Sequence, residues 1–120
     1  MDCYIGIDLG TSSVRVLALG EQGHVLAVRG RDYAIREPLP GFAEQSPEDW
    51  WEATADCLRR LLQLESLAGV RVHAVGLSGQ MHGLVLLDKD VNPLRDAIVW
   101  PDRRSAEVCK EWWRLSAHRQ

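Results

Sequence analysis

Three short apolar runs separated by two tight turns fill the first 28 residues, and they restrict the possible folds more than any other feature. The first run alternates apolar with other residues over 3–9, the second covers 14–19 and the third covers 24–28. Alternation with a period of two is typical of a strand that buries one face. Because strands joined by short turns pair antiparallel, the sequence predicts a three-stranded antiparallel meander at the N-terminus.

An amphipathic helix is predicted after an extended connector over 33–45 that is rich in proline and glycine. Ser46 is a suitable N-cap, and Pro47 suits the first helical turn. Apolar residues then recur at steps of three and four, which is the spacing of one buried helix face. The residues of this face are Trp50, Ala53, Cys57, Leu61 and Leu64.

The rest of the chain completes the expected α/β fold. The sequence predicts a buried strand over 70–77, another strand over 83–87, a turn at 91–93, a short strand over 97–100 and a second helix from Asp102 onward, with Val108, Trp112 and Leu115 on one face. This order is typical of a mixed sheet covered by helices. Because the second helix has barely begun to pack at Gln120, we expect residues 1–120 to be an incomplete domain.

Composition excludes several classes of function. The 120 residues suffice for one modest core, and the net charge of −3 gives no basic surface for nucleic acid. No apolar run is long enough to span a membrane, and the first residues do not resemble a signal peptide. Cys3, Cys57 and Cys109 are too scattered for a disulfide framework or a metal site. We therefore expect a cytoplasmic protein with reduced thiols and with neither a nucleic-acid nor a membrane partner.

The turn between the first two strands has the chemistry of a phosphate site. It contains Gly10, Thr11, Ser12 and Ser13, and it follows the lone carboxylate of Asp8. Glycine lets a ligand approach the backbone closely, and successive N–H groups and hydroxyls can surround phosphate oxygens without a lysine. An aspartate beside them suits a magnesium ion held through water. The alternative is ordinary turn chemistry with a solvated strand end, but the position between two apolar strands favours phosphate.

A second loop, "GQMHG" over 79–83, has groups suited to a polyol. Gln80 and His82 offer hydrogen-bond donors and acceptors, and Met81 offers an apolar contact. The alternative is a bend with a half-buried histidine.

A third segment, "AIVWPDRR" over 97–104, adds an aromatic side chain and two charges. Trp100 could form an apolar wall against the carbon face of a sugar. Asp102 is either the N-cap of the second helix or a substrate contact, with Arg104 as its ion-pair partner. Asp88 and Asp90 fit a solvated turn, so no catalytic base is evident.

The first of these motifs resembles a known phosphate motif. "IGIDLGTSSVRVLAL" is similar to the first phosphate segment of the superfamily that contains actin, heat-shock chaperone ATPases and sugar kinases. The resemblance implies an RNase H-like, actin-like ATPase fold, in which two domains clasp magnesium and ATP. It also implies that Asp8 is a catalytic residue on the metal and phosphate side, and that residues 10–13 face the phosphates.

The other two motifs resemble the FGGY carbohydrate kinases, and "GQMHG" is the form typical of the xylulokinases in that family. Glycerol kinases instead carry an Arg-Glu pair at the places of Met81 and His82. The resemblance implies transfer of the γ-phosphoryl of ATP to the 5-hydroxyl of D-xylulose. It assigns substrate contacts to Met81 and His82, beside the candidate Gln80, and places Trp100, Asp102 and Arg104 in a substrate-side motif from which Pro101 departs.

The resemblance covers nearly the whole chain but only the opening part of the first of two domains in such a kinase. It implies that the catalytic base and the adenosine pocket lie beyond Gln120, so residues 1–120 alone should not turn over xylulose. Exposed apolar side chains at Trp112, Trp113 and Leu115 make a homodimer a hypothesis. Three alternatives stay open: a kinase of the same family for ribulose, gluconate or a related polyol, a non-catalytic nucleotide-binding module, and a structural interaction domain.

Overall fold

The computed structural model describes residues 2–117 and contains two sheets and two helices. The elements are β1 Asp2–Leu9, β2 Ser13–Gly20, β3 Val25–Asp32, β4 Glu44–Gln45, α1 Pro47–Leu62, a 3₁₀ turn Glu65–Leu67, β5 Arg71–Gly79, β6 Ala97–Ile98 and α2 Ala106–Ala117. The larger sheet has the strand order β3-β2-β1-β5, and β4 pairs with β6 in a separate two-stranded sheet.

The predicted antiparallel meander is confirmed. β1 pairs with β2 through partners such as Ile5 and Ala18, and β2 pairs with β3. The third strand is longer than predicted, since it continues to Asp32 instead of ending at Val28. β5 joins the other edge of β1 in a parallel arrangement, which makes the sheet mixed as expected.

The predicted amphipathic helix is also confirmed, and it forms the main core with one face of the sheet. α1 packs over β2 and β3. Ser46 occupies the N-cap position, but its side chain makes no capping hydrogen bond. The core residues are Cys3, Ile5, Val14, Val16, Ala18, Ala53, Cys57, Leu61 and Leu67, with Leu64 packed at their margin. Complete burial of a leucine such as Leu61 contributes about 2 kcal/mol.

The strand predicted over 70–77 forms, but the prediction that it is buried is wrong. β5 pairs only with β1 and is the edge strand of the sheet. Because α1 covers β2 and β3, no element within residues 2–117 covers β5. Val75 and Leu77 are consequently 60% and 79% exposed.

The prediction of a strand over 83–87 is wrong. This segment is a loop, in which only Leu84 and Leu87 make isolated bridges. The Asp88 carboxylate accepts hydrogen bonds from the N–H groups of Asp90 and Asn92 at 2.8 and 2.9 Å. Such side-chain contacts bend the backbone and compete with a strand ladder.

The helices and the cysteines bear on the expectations drawn from composition. None of the helices within residues 2–117 is long and apolar enough to cross a membrane. All three cysteines are free thiols, of which Cys3 and Cys57 are buried and Cys109 is exposed. Burial raises the pKa of the Cys57 thiol, which keeps it protonated at neutral pH.

Candidate functional site

The two candidate loops lie side by side at the end of the main sheet where β1 and β5 both finish. β1 and β5 run parallel and in register, so Asp8 lies opposite Ser78 and Leu9 lies opposite Gly79. The Gln80 N–H donates to the Leu9 carbonyl at 2.8 Å, which continues the pairing beyond the strand end. Because parallel strands end at the same edge of a sheet, the turn after β1 and the loop after β5 converge there.

The backbone of the turn between β1 and β2 is held with its carbonyl groups toward the protein. The Gly10 carbonyl accepts from the Tyr33 hydroxyl, the Thr11 carbonyl from Gln45 Nε2 at 2.6 Å, and the Ser12 carbonyl from the Tyr33 N–H at 3.0 Å. The carbonyl and the next N–H of a trans peptide point in opposite directions. The N–H groups of Thr11 and Ser12, which follow the first two of these carbonyls, are therefore turned away from these donors, as a phosphate-binding turn requires.

Gly10 closes this turn. Its N–H donates to the Ser13 carbonyl at 3.0 Å, and a Cβ at position 10 would lie only 3.0 Å from the same oxygen. Burial, assisted by the nearby charge of Asp8, raises the pKa of Tyr33 to about 12. Tyr33 therefore keeps its proton at neutral pH and continues to donate to Gly10.

The Asp8 carboxylate is exposed on the face of the sheet opposite α1. Its cross-strand partner is Arg15, but the Arg15 guanidinium lies across Gly30 of β3, where a Cβ would be 2.9 Å from Nη1. Within residues 2–117, Asp8 has no ion-pair partner. Asp8 also borders a groove of about 450 Å³ together with Ser78. The structure thus leaves this carboxylate accessible to a cation.

A buried glutamine that sequence reasoning missed connects the two loops. Gln45 is 1% exposed. Its Nε2 donates to the Thr11 carbonyl at 2.6 Å, and its Oε1 accepts from Trp50 Nε1 and Gln80 Nε2, both at 3.0 Å. Gln45 lies just before α1, at the end of the predicted connector over 33–45, and no local sequence pattern marks it as a functional residue.

Gln80 is the one residue of the 80–82 loop that this set of hydrogen bonds holds. Its Nε2 donates to Gln45, whereas its Oε1 is buried and accepts no hydrogen bond from residues 2–117. A buried acceptor without a donor is costly, and it marks a position where a ligand hydroxyl is favoured.

Met81 and His82 project from the same loop toward solvent. Met81 is 71% exposed, and His82 is also exposed. His82 adopts a φ of 61°, a left-handed conformation that is uncommon for residues other than glycine. The left-handed conformation of His82 therefore forms part of the bend in this loop, and both side chains remain accessible to a ligand.

Trp100 reaches the phosphate turn directly. Its Nε1 donates to the Thr11 hydroxyl at 2.8 Å, and its ring remains 59% exposed. The ring therefore presents an apolar surface beside the turn.

Asp102 and Arg104 form an ion pair that holds the segment behind Trp100. One Asp102 oxygen accepts from the Ala43 N–H at 2.7 Å, and Arg104 donates to Asp102 and, at 2.7 Å, to Glu44. The Arg104 guanidinium also lies 3.9 Å from the centre of the Phe42 ring. Arg104 and these other donors hold the pKa of Asp102 well below its usual range.

The alternative that Asp102 caps the second helix is wrong, because α2 begins at Ala106. Asp102 instead accepts from the Arg104 N–H at 2.9 Å, a local turn that competes with helix formation. The proposed substrate contacts of Asp102 and Arg104 stay predictions.

Comparison with known proteins identifies the family. Residues 3–120 match the N-terminal domain of the FGGY family of carbohydrate kinases. The xylulose kinase of Escherichia coli K12 is 47% identical over 106 residues, which are 88% of this chain and 22% of that protein. The xylulose kinase of Bacillus subtilis 168 is 40% identical over 109 residues, or 91% and 22%. The chain thus spans about a fifth of the length of these relatives.

Solved structures agree with this assignment. The crystal structure of xylulose kinase from Rhodospirillum rubrum matches with a TM-score of 0.80 and 30% identity, over 89% of this chain and 23% of that one. The predicted actin-like ATPase fold is confirmed by such neighbours. The chain therefore belongs to the FGGY family of carbohydrate kinases.

Proposed function

We propose that residues 1–120 are the opening part of the N-terminal domain of a xylulose kinase. The complete enzyme transfers the γ-phosphoryl group of ATP to D-xylulose and forms D-xylulose 5-phosphate in the cytoplasm. The observation that carries this proposal is the connection of the phosphate turn to both sugar-side segments. Thr11 accepts directly from Trp100, and it is linked to Gln80 through Gln45. The xylulose kinases among its relatives support the choice of sugar.

The residues of the phosphate turn fit magnesium and ATP. The N–H groups of Thr11 and Ser12, together with the hydroxyls of Thr11, Ser12 and Ser13, contact the phosphates. Asp8, which is exposed and unpaired within residues 2–117, holds the magnesium ion through water. When bound, the ion neutralises charge on the phosphates. Tyr33 keeps the turn in the orientation that this binding needs.

The sugar-side residues divide into contacts and supports. Gln80 Oε1 accepts a hydrogen bond from a sugar hydroxyl, which satisfies its buried lone pairs. Met81 and His82 contact the ketopentose from the same loop, and the exposed ring of Trp100 packs against its carbon face. Asp102 and Arg104 border this site and fix the turn that carries Trp100.

The catalytic base is proposed to lie outside this segment. Asp88 is engaged by Asp90 and Asn92, and these hydrogen bonds lower the pKa of its carboxyl group. Asp90 is exposed in the same turn and pairs with Lys89 at 3.1 Å. Both carboxylates are thus engaged within their own turn, and neither is proposed as the base. Residues 1–120 alone therefore do not phosphorylate xylulose.

The test is an ADP-release assay on the full-length protein with D-xylulose, L-ribulose, D-gluconate and glycerol as acceptors. We expect the highest kcat/KM with D-xylulose and no turnover by residues 1–120. A preference for ribulose or gluconate would instead support another kinase of the same family. Nucleotide binding without sugar-dependent ADP release would support a non-catalytic module.

A further inference from the structure

We propose that Gln45 is a positioning residue that holds the phosphate turn at a fixed separation from the sugar loop. This inference rests on the proposed kinase function and adds a residue that touches neither substrate. Gln45 lies between the two loops, and its amide group contacts both of them.

The chemistry of its neighbours determines the orientation of the Gln45 amide. The Thr11 carbonyl can only accept, so it faces Nε2, and Trp50 Nε1 can only donate, so it faces Oε1. The remaining contact to Oε1 must then come from Gln80 Nε2. With Gln80 Nε2 directed at Gln45, Gln80 Oε1 points the other way, where it has no hydrogen-bond donor within residues 2–117. A single amide thus determines both the carbonyl direction at Thr11 and the orientation of Gln80.

The backbone that carries Gln45 is itself restrained. β4 pairs with β6 through Gln45 and Ala97. The preceding residue, Glu44, accepts hydrogen bonds from Arg95 and Arg104. Trp50 on α1 restrains the amide from a third direction. Gln45 therefore connects the two loops to a rigid support.

Phosphoryl transfer depends strongly on the alignment of donor and acceptor. A displacement of about 1 Å, caused by a change far from the reacting atoms, can lower the rate about 100-fold. Loss of the Gln45 amide releases the Thr11 carbonyl and the Gln80 side chain together. The loss should therefore appear in kcat and in the KM values of both substrates.

The experiment measures kcat and both KM values of the full-length protein, with the folded fraction determined by circular dichroism. Gln45→Met removes all three hydrogen bonds, and we expect kcat per folded molecule to fall about 100-fold. Gln45→Glu keeps the two acceptor contacts but loses the donor to Thr11 and adds a negative charge beside the phosphate turn. We expect it to raise the KM for ATP about 10-fold and to change the KM for xylulose less than about 2-fold.

Gln80→Met alters the sugar loop instead of the phosphate turn. In contrast to Gln45→Glu, it should raise mainly the KM for xylulose. Combined with Gln45→Met, its effect should be non-additive because the two residues share a hydrogen bond. Gln63→Met, at an exposed glutamine in the C-cap position after α1, is the matched control and should leave all constants unchanged.

The KM values do not depend on how much of the protein is folded, so they separate positioning from stability. Variants of Gln45 that lower the melting temperature but leave both KM values and kcat per folded molecule unchanged would overturn the inference. A wild-type protein with no sugar-dependent ADP release would instead refute the proposed function on which it rests.

Discussion

Trp100 Nε1 donates a hydrogen bond to the Thr11 hydroxyl at 2.8 Å, across 89 positions of sequence. Thr11 belongs to the turn proposed to hold phosphate, and Trp100 belongs to the segment proposed to hold the sugar. The Thr11 hydroxyl therefore has a protein donor and remains able to donate its own proton to a phosphate oxygen. This contact ties the two halves of the candidate site to each other.

We expect Trp100→Phe in the full-length protein to separate the two roles of this indole. Phenylalanine keeps an aromatic wall but cannot donate to Thr11, so the KM for ATP should rise about 5- to 10-fold while the KM for xylulose changes little. Trp100→Ala should raise both.

Steady-state kinetics with each substrate varied in turn gives these values. Trp51→Phe is the control, because Trp51 is 69% exposed on α1 and makes none of the hydrogen bonds that link the two loops. An unchanged KM for ATP in Trp100→Phe would show that the Thr11 contact has no part in nucleotide binding.

We expect Asp8→Asn to abolish most kinase activity without loss of the fold. Asp8 makes no ion pair within residues 2–117, so the substitution removes charge from the site and not from the core. Loss of one group that stabilises charge in the transition state commonly lowers kcat about 100- to 1,000-fold. ADP release at several magnesium concentrations, together with a thermal melt, tests this.

Asp90→Asn is the control for Asp8→Asn, because Asp90 is an exposed turn residue. The proposed role of Asp8 would be contradicted by a variant that keeps wild-type kcat and the wild-type dependence on magnesium.

The features of the fold and of the site that could be predicted are those that depend on residues close together in the sequence. The three strands of the meander are joined by short turns, and α1 carries its buried face at helical spacing, so both could be predicted from local pattern. The turn at residues 10–13 was recognisable for the same reason, since the glycine, the hydroxyls and Asp8 are contiguous. The parallel pairing of β1 and β5 follows from the chain order, because β3 runs in the same direction as β1 and the crossover through α1 returns the chain from β3 to β5 in that direction.

The unpredictable part depends on contacts between distant residues. Gln45 contacts Thr11 and Gln80 across 34 and 35 positions, and neither separation leaves a local pattern. The exposure of β5 depends on which elements cover it, whereas the apolar residues of this strand show only that it is suited to burial. The 83–87 run is apolar enough for a strand, but the nearby Asp88 turn redirects the backbone.

We expect Asp102→Asn to destabilise the chain at pH 7 and to reduce its sensitivity to acid. Arg104 and the Ala43 N–H hold the Asp102 pKa below its unfolded value, so the folded state binds fewer protons than the unfolded state near pH 4. This stabilisation is present above that pH and is lost as the pH falls. The variant should lose about 2 kcal/mol at pH 7.

Urea unfolding of the chain at pH 7 and pH 3 measures both effects of Asp102→Asn. Asp96→Asn serves as the control, because its pair with Arg36 is more exposed and should contribute little. Equal losses for Asp102→Asn at pH 7 and pH 3 would exclude the linkage to protonation.

We expect the chain of residues 1–120 to form a homodimer or a larger assembly through apolar surfaces that the fold leaves exposed. On α2, Trp112 and Trp113 are 73% and 77% exposed, and Val108 and Leu115 lie on the same short helix. Apolar surface of this kind is commonly buried by association. Sedimentation velocity over a range of protein concentrations should show a mass that increases with concentration. Replacing both Trp112 and Trp113 by Ser should weaken association, whereas Trp51→Ser on α1 should not, and a wild-type chain that stays monomeric throughout would contradict the expectation.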